Sequence, residues 1–121
     1  MNKRVLLVED DSLIAELLEM VLLLEGVDVT IASNGAEALA RLEADSFDVI
    51  VLDLMMPVLD GLGLLDQLGA IGQAHPPILV FSASTSREIA DRALKAGAAA
   101  IARKPLDRDE FLAIVRRLLG E

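Results

Sequence analysis

Short apolar runs that alternate with longer segments of helical periodicity are the feature that most constrains the fold of this chain. Three runs are almost entirely apolar, as expected of parallel strands that are covered on both faces. They are Arg4 to Val8 (RVLLV), Asp48 to Leu52 (DVIVL) and Pro77 to Phe81 (PILVF). Two further runs, Asp28 to Ala32 and Ala99 to Ala102, include a threonine or consist mainly of alanine and suit the edges of a sheet. The pattern predicts five strands.

Segments with helical periodicity follow each strand and predict five helices. The first has Asp11 or Ser12 as a candidate N-cap and ends before Gly26. The others are predicted over 36–43, from Asp60 or Gly61 to about Gly69, over 87–96, and from an Asp107 cap through 119.

Strict alternation of strands and helices predicts an α/β fold with a doubly wound, five-stranded parallel sheet and right-handed crossovers. With the two less apolar strands at the edges, the expected strand order is 2-1-3-4-5. A chain of 121 residues without an internal repeat or linker fits one compact domain, so we expect a single domain over 1–121.

Charge and composition narrow the function classes. The chain has 11 basic and 20 acidic residues and a net charge of −9, which argues against direct binding to nucleic acid or to an anionic membrane. It has no cysteine, which excludes disulfides and thiolate chemistry. No apolar stretch is long enough for a signal peptide or a membrane span, so we expect a soluble cytoplasmic protein.

Polar side chains lie at the carboxyl ends of four predicted strands. They are Glu9 and Asp10 after strand 1, Asp53 after strand 3, Ser82 after strand 4 and Lys104 after strand 5. Because the carboxyl ends of parallel strands meet at one edge of the sheet, we expect these side chains to share a cleft.

The chemistry of these groups suits phosphoryl transfer. Clustered carboxylates are hard oxygen ligands of the kind that Mg²⁺ prefers. A lysine and a hydroxyl can contact phosphoryl oxygens by charge and by hydrogen bonding. Asp53 lies between the predicted metal site and the lysine, where its free oxygen can act as a nucleophile on phosphorus.

Four motifs in this order resemble the receiver domain of two-component response regulators over essentially the whole chain. They are Glu9-Asp10, Asp53-Leu54-Met55-Met56-Pro57 with Asp60-Gly61, Phe81-Ser82-Ala83, and Lys104-Pro105. The resemblance implies that Asp53 accepts a phosphoryl group and that Ser82 and Lys104 contact the phosphoryl oxygens. It implies Mg²⁺ as the cofactor, with the side chains of Glu9, Asp10 and Asp53 and the carbonyl oxygen of Met55 as ligands.

The same resemblance implies a signalling switch, not a conventional enzyme, because the only reactions expected are transfer to and loss from the chain itself. The implied donor is a histidine kinase or a histidine phosphotransfer protein. The implied recipient of the signal is a downstream protein or an attached output domain.

Two residues depart from the pattern of the family. Glu9 stands where many members have aspartate, which lengthens the side chain by one methylene without removing the carboxylate. Ile101 stands where members usually have tyrosine or phenylalanine, an aromatic ring that moves inward on activation. We expect Glu9 to leave the metal site intact. We expect phosphorylation to survive both Ile101 and the usual variant Ser82, which has one methyl group fewer than threonine. Ile101 either mutes the response across the last two helices, or it packs as ordinary edge-strand core while the switch uses backbone motion alone.

Two other functions remain open at this stage. A pseudo-receiver that acts as a constitutive interaction module is favoured mildly by the missing aromatic and opposed by the retained charged residues. A phosphohydrolase of the haloacid dehalogenase type also uses an aspartate nucleophile, but it needs an Asp-x-Asp pair. Here the nucleophile strand is followed by Asp53-Leu54-Met55, which lacks the second carboxylate.

Overall fold

The computed structural model describes residues 3–53, 76–82, 87–103 and 107–120, and this part of the chain contains five strands and four helices. The strands are β1 (Arg4–Val8), β2 (Asp28–Ala32), β3 (Val49–Asp53), β4 (Ile78–Ser82) and β5 (Ala100–Arg103). The helices are α1 (Ser12–Leu24), α2 (Gly35–Ala44), α3 (Arg87–Lys95) and α4 (Arg108–Leu118). The one remaining predicted helix, which is the third in chain order and runs from Asp60 or Gly61 to about Gly69, lies outside the described residues.

The sheet confirms the predicted architecture. All four neighbouring strand pairs are parallel, and the strand order is β2-β1-β3-β4-β5. The two strands predicted at the edges, β2 and β5, are the edge strands. Strands β3, β4 and β5 each begin and end one residue later than the sequence predicts, which places Asp53 and Ser82 inside the ladder.

Alternate residues of the central strands pack on opposite faces of the sheet, as the pleat requires. Val5 and Leu7 of β1 belong to a core cluster that includes residues of α1 and α4. Leu6 and Val8 belong to a second core cluster that includes residues of α2 and α3. Both faces of the sheet are therefore covered, which explains why the central strands have polar residues only at their ends.

Side-chain caps begin three of the helices. Asp11 caps α1, Asn34 caps α2 and Asp107 caps α4, and each accepts a hydrogen bond from a backbone N–H in the first turn. At the other end of α1, Gly26 has a φ of 77°, and Gly97 after α3 has a φ of 115°. These left-handed conformations favour glycine and end both helices where the sequence predicts.

Arg4 anchors the end of the sheet that lies opposite the candidate site. Its backbone N–H donates to Asp48 Oδ2 over 2.8 Å, and its Nη1 donates to the Ser46 carbonyl over 3.1 Å. The guanidinium also lies 3.5 Å from Asp45 Oδ1 and 5.1 Å from the centre of the Phe47 ring. These contacts hold the segment before β3 against β1 and so help to set the register of the two strands.

None of the described helices is long and apolar enough to cross a membrane.

Candidate functional site

The register between β1 and β3 brings two acidic residues side by side. Val8, the last residue of β1, lies opposite Leu52 in β3. Glu9 follows Val8, and Asp53 follows Leu52, so both carboxylates lie at the carboxyl edge of adjacent central strands. The backbone N–H of Glu9 donates to the Ala32 carbonyl over 3.0 Å, which continues the pairing with β2 by one residue.

Three carboxylates meet at this edge. One oxygen from each of Glu9, Asp10 and Asp53 lies within 4.8 Å of the other two. Glu9 and Asp53 are each 2% exposed and are the buried charged side chains among the described residues, whereas Asp10 is exposed. The structure thus brings together the three acidic side chains that the sequence predicts to be metal ligands.

Burial of two neighbouring carboxylates is costly, because each loses hydration and the negative charges repel. A cation among the three oxygens offsets both terms. An all-oxygen donor set suits Mg²⁺, and the exposed Asp10 leaves part of the site open to the waters that this ion usually keeps. The residues present therefore fit the metal that the sequence analysis implies.

Other candidate site residues lie at or beyond the boundary of the described chain. Strand β4 ends at Ser82, which pairs with Arg103 at the end of β5. The Ser82 backbone thus lies at the carboxyl edge, one residue beyond Phe81, which pairs with Asp53. Met55 and Lys104 lie outside the described residues, although Lys104 directly follows the last residue of β5.

Asp11 links the carboxylate cluster to helix α1. Its Oδ1 accepts hydrogen bonds from the backbone N–H groups of Leu13 and Ile14, over 2.9 and 3.2 Å, so it is the N-cap and not a member of the cluster. Its own backbone N–H donates to Glu9 Oε1 over 3.0 Å. The sequence analysis did not predict this contact. The spacing of two residues between Glu9 and Asp11 is the signal that could have indicated it.

Ile101 lies on β5 opposite Val80 of β4. Its side chain is half-buried and packs against the second core cluster, which also contains Ala93 of α3 and Ala98. This packing agrees with both expectations for Ile101, which differ only in the response to phosphorylation.

Helix α1 has a row of exposed apolar side chains on the side opposite the core. We call this row the α1 stripe, and it consists of Leu13, Leu17, Met20 and Leu24, which are 77, 58, 59 and 79% exposed. The spacing of four, three and four residues matches the seam of a helix that packs against another helix. The helix also carries Glu16 and Glu19 and no basic residue. The stripe begins two residues after Asp11 and so adjoins the carboxylate cluster.

The sequence is similar to those of response regulators. A model of the response regulator receiver domain family matches residues 5–116. Response regulator MprA of Mycobacterium tuberculosis is 41% identical over 119 residues, which is 98% of this chain and 51% of that protein. The same regulator of Mycobacterium avium is 41% identical over 116 residues. The chain spans about half the length of the curated relatives it matches.

Solved structures of receiver domains and of a chemotaxis protein are also similar to this chain. The receiver domain of Francisella response regulator 1452 has a TM-score of 0.92 and 36% identity, and the match covers 98% of both chains. The chemotaxis protein CheY4 of Vibrio cholerae has a TM-score of 0.90 and 30% identity, with 98% and 99% covered. The receiver domain of the sensor histidine kinase PA1611 of Pseudomonas aeruginosa has a TM-score of 0.88 and 29% identity, with 100% of both chains covered. That structure holds a magnesium ion coordinated in its active-site cleft.

Proposed function

Because the chain belongs to the response regulator receiver domain family, we propose that it is a phosphoacceptor switch of a two-component system and that Asp53 accepts the phosphoryl group. The observation that carries the proposal is the cluster of three carboxylates, two of them buried, at the ends of β1 and β3. Asp53 lies at the carboxyl edge of a central parallel strand, where ligands of such sheets bind, and its carboxylate is beside two others. A carboxylate in that position suits the role of a nucleophile beside a metal site.

The metal we propose is Mg²⁺, which the side chains of Glu9, Asp10 and Asp53 would hold together with the carbonyl oxygen of Met55. When bound, Mg²⁺ neutralises charge that develops on phosphoryl oxygens and lowers the repulsion between the incoming group and the carboxylates. The support for this part of the proposal is the convergence of three carboxylate oxygens within 4.8 Å.

In the proposed reaction, a carboxylate oxygen of Asp53 attacks the phosphorus of the donor and forms a new P–O bond. The bond between phosphorus and the donor's imidazole nitrogen breaks, and the electron pair returns to that nitrogen, which takes up a proton. The product is an acyl phosphate on Asp53. Ser82 and Lys104 contact the transferred oxygens in this proposal, because Ser82 is the last residue of β4 and Lys104 directly follows β5 in the sequence.

We assign the donor as a histidine kinase or a histidine phosphotransfer protein, and the α1 stripe as the surface on which it docks. The stripe adjoins the carboxylate cluster and has the spacing of a helix-packing seam. The helix carries Glu16 and Glu19 on one side of the stripe and no basic residue, so a partner helix with basic residues beside its apolar seam would be complementary in charge. The signal then passes to a downstream protein or an output domain.

The test is intact-protein mass spectrometry after incubation with Mg²⁺ and acetyl phosphate, a donor that needs no partner protein. We expect one added phosphoryl group, and peptide mapping should place it on Asp53. A sample incubated without a phosphodonor is the control. No mass gain in folded protein would contradict the proposal and would favour a constitutive interaction module. A phosphoryl group on another residue would contradict the assignment of Asp53.

A further inference from the structure

We propose that Asp11 is a positioning residue of the carboxylate site, which holds the Glu9 side chain in its binding orientation through the Asp11 main-chain N–H. The inference rests on the proposed function, because it assumes that Glu9 contributes to a Mg²⁺ site. It goes further by giving a role to a residue that is not in the cluster and that the motif of the family does not include.

The contacts of Asp11 divide into two sets with different partners. Its side chain and its carbonyl oxygen serve the helix, because Oδ1 accepts from Leu13 and Ile14 and the carbonyl oxygen accepts from the Ala15 N–H over 2.9 Å. Its backbone N–H serves the site, because it donates to Glu9 Oε1 over 3.0 Å. The first set fixes the position of the Asp11 backbone. The second contact therefore holds the Glu9 carboxylate in a fixed place relative to helix α1.

Glu9 needs such a contact more than an aspartate would. A glutamate side chain has one more rotatable bond than an aspartate, so more conformational freedom is lost when it is held in one orientation. The main chain of Glu9 is already held by its bond to the Ala32 carbonyl. The Asp11 N–H adds a contact at the far end of the side chain, and its acceptor is a carboxylate oxygen, which makes the hydrogen bond charge-assisted.

The experiment separates the three properties of Asp11 with three substitutions and measures Mg²⁺ affinity by isothermal titration calorimetry. Asp11→Asn keeps the N–H and a capping oxygen and loses only the charge. Asp11→Ala keeps the N–H and loses the charge and the cap. Asp11→Pro loses all three, and its ring is compatible with the φ of −81° at this position.

We expect Asp11→Asn to bind Mg²⁺ within about threefold of wild type, since it loses a single exposed charge. Asp11→Pro should bind about tenfold or more weakly than Asp11→Ala, because loss of a group that orients a metal ligand typically costs 10- to 100-fold in affinity. Equal affinities of the Pro and Ala variants, with both folded by circular dichroism, would overturn the inference.

A second measurement tests whether Asp11 acts through Glu9. In a Glu9→Ala background the difference between Asp11→Pro and Asp11→Ala should vanish, which a general loss of helix stability would not produce. A difference that persists overturns the inference. If Asp11→Pro does not fold, the amide resonance of Asp11 in the Glu9→Ala variant is measured instead. This variant removes the acceptor of the Asp11 N–H, so the resonance must shift and the amide must exchange with solvent faster than in wild type. An unchanged Asp11 amide overturns the inference.

The same titrations distinguish failure of this inference from failure of the proposed function. Wild-type protein that binds no Mg²⁺ overturns both. Wild-type protein that binds Mg²⁺ while the Pro variant binds equally well overturns only the role of Asp11.

Discussion

Val8 of β1 lies opposite Leu52 of β3 in a parallel ladder, so the next residue on each strand is a carboxylate, Glu9 on one and Asp53 on the other. The site therefore depends on the register of two strands that are separated by about forty residues in the chain. A slip of one residue would move one of the two side chains to the other face of the sheet.

Asp53→Asn should abolish labelling by acetyl phosphate, because an amide oxygen is a poor nucleophile and the change removes one of three carboxylates. Lys104→Ala should leave labelling measurable but weaken the structural response, since it removes a charge-assisted contact to the phosphoryl group. Mass spectrometry and amide chemical shifts measure the two effects. The control is Asp91→Asn, an exposed aspartate of α3. Undiminished labelling of Asp53→Asn would contradict the assignment.

Mg²⁺ should raise the thermal stability of the protein, because the ion binds the folded state and relieves repulsion among three carboxylates. At 100 times the dissociation constant the expected gain is about 2.7 kcal/mol of unfolding free energy. Differential scanning calorimetry with Mg²⁺ and with a chelator, at matched ionic strength, measures it. Glu9→Gln should show a smaller gain. An unchanged melting temperature on adding the chelator would argue against a metal site. The labelling rate should fall severely in the chelated sample.

Ile101 should mute the response of the surface formed by α3, β5 and α4. An isoleucine is stiff at χ1 and here packs against the second core cluster, so it has no second pose for phosphorylation to favour. Amide chemical shifts with and without beryllofluoride, a phosphoryl mimic, measure the response. We expect large shifts near Asp53 and Ser82 and small ones in α3 and α4. Equally large shifts throughout both helices would show that the missing aromatic does not matter.

Leu17→Gln and Met20→Gln in the α1 stripe should slow phosphoryl transfer from a histidine kinase that phosphorylates the wild type, because they remove apolar contact area from the proposed docking surface. Labelling by acetyl phosphate should be unchanged, and stability should change by about 0.5 kcal/mol or less. The matched control is Leu94→Gln, a leucine of α3 that is 51% exposed. If Leu94→Gln slows phosphoryl transfer as much as the stripe variants do, the effect is not specific to the α1 stripe and the docking assignment is contradicted.

Asn34→Ala should lower the free energy of unfolding by about 1 kcal/mol. Asn34 Oδ1 accepts from the Glu37 N–H over 2.9 Å, and the substitution leaves that donor without its cap. Urea denaturation measures the change. Asn34→Asp keeps a capping oxygen and serves as the control, so it should stay close to wild type. A loss of equal size in both variants would show that the cap is not the cause.

Properties that depend on local pattern were determined by the sequence itself. The apolar runs predicted every strand to within one residue. The edge strands were also predicted, because the runs that form β2 and β5 are less strongly apolar than those of the central strands. The cap at Asp107 was also predicted, since capping uses a side chain and the backbone two or three residues away. Four motifs in the right order indicated the family.

Properties that depend on neighbours far apart in the chain were decided by the tertiary structure. Glu9 is buried because β2 and β3 flank its strand, whereas Asp10 beside it stays exposed, and no local pattern distinguishes the two. The contact of the Asp11 N–H with Glu9 Oε1 and the packing of Ile101 against the second core cluster likewise required the assembled fold. Burial and side-chain direction follow from which elements pack together, and a sequence pattern specifies the elements more directly than it specifies the contacts between them.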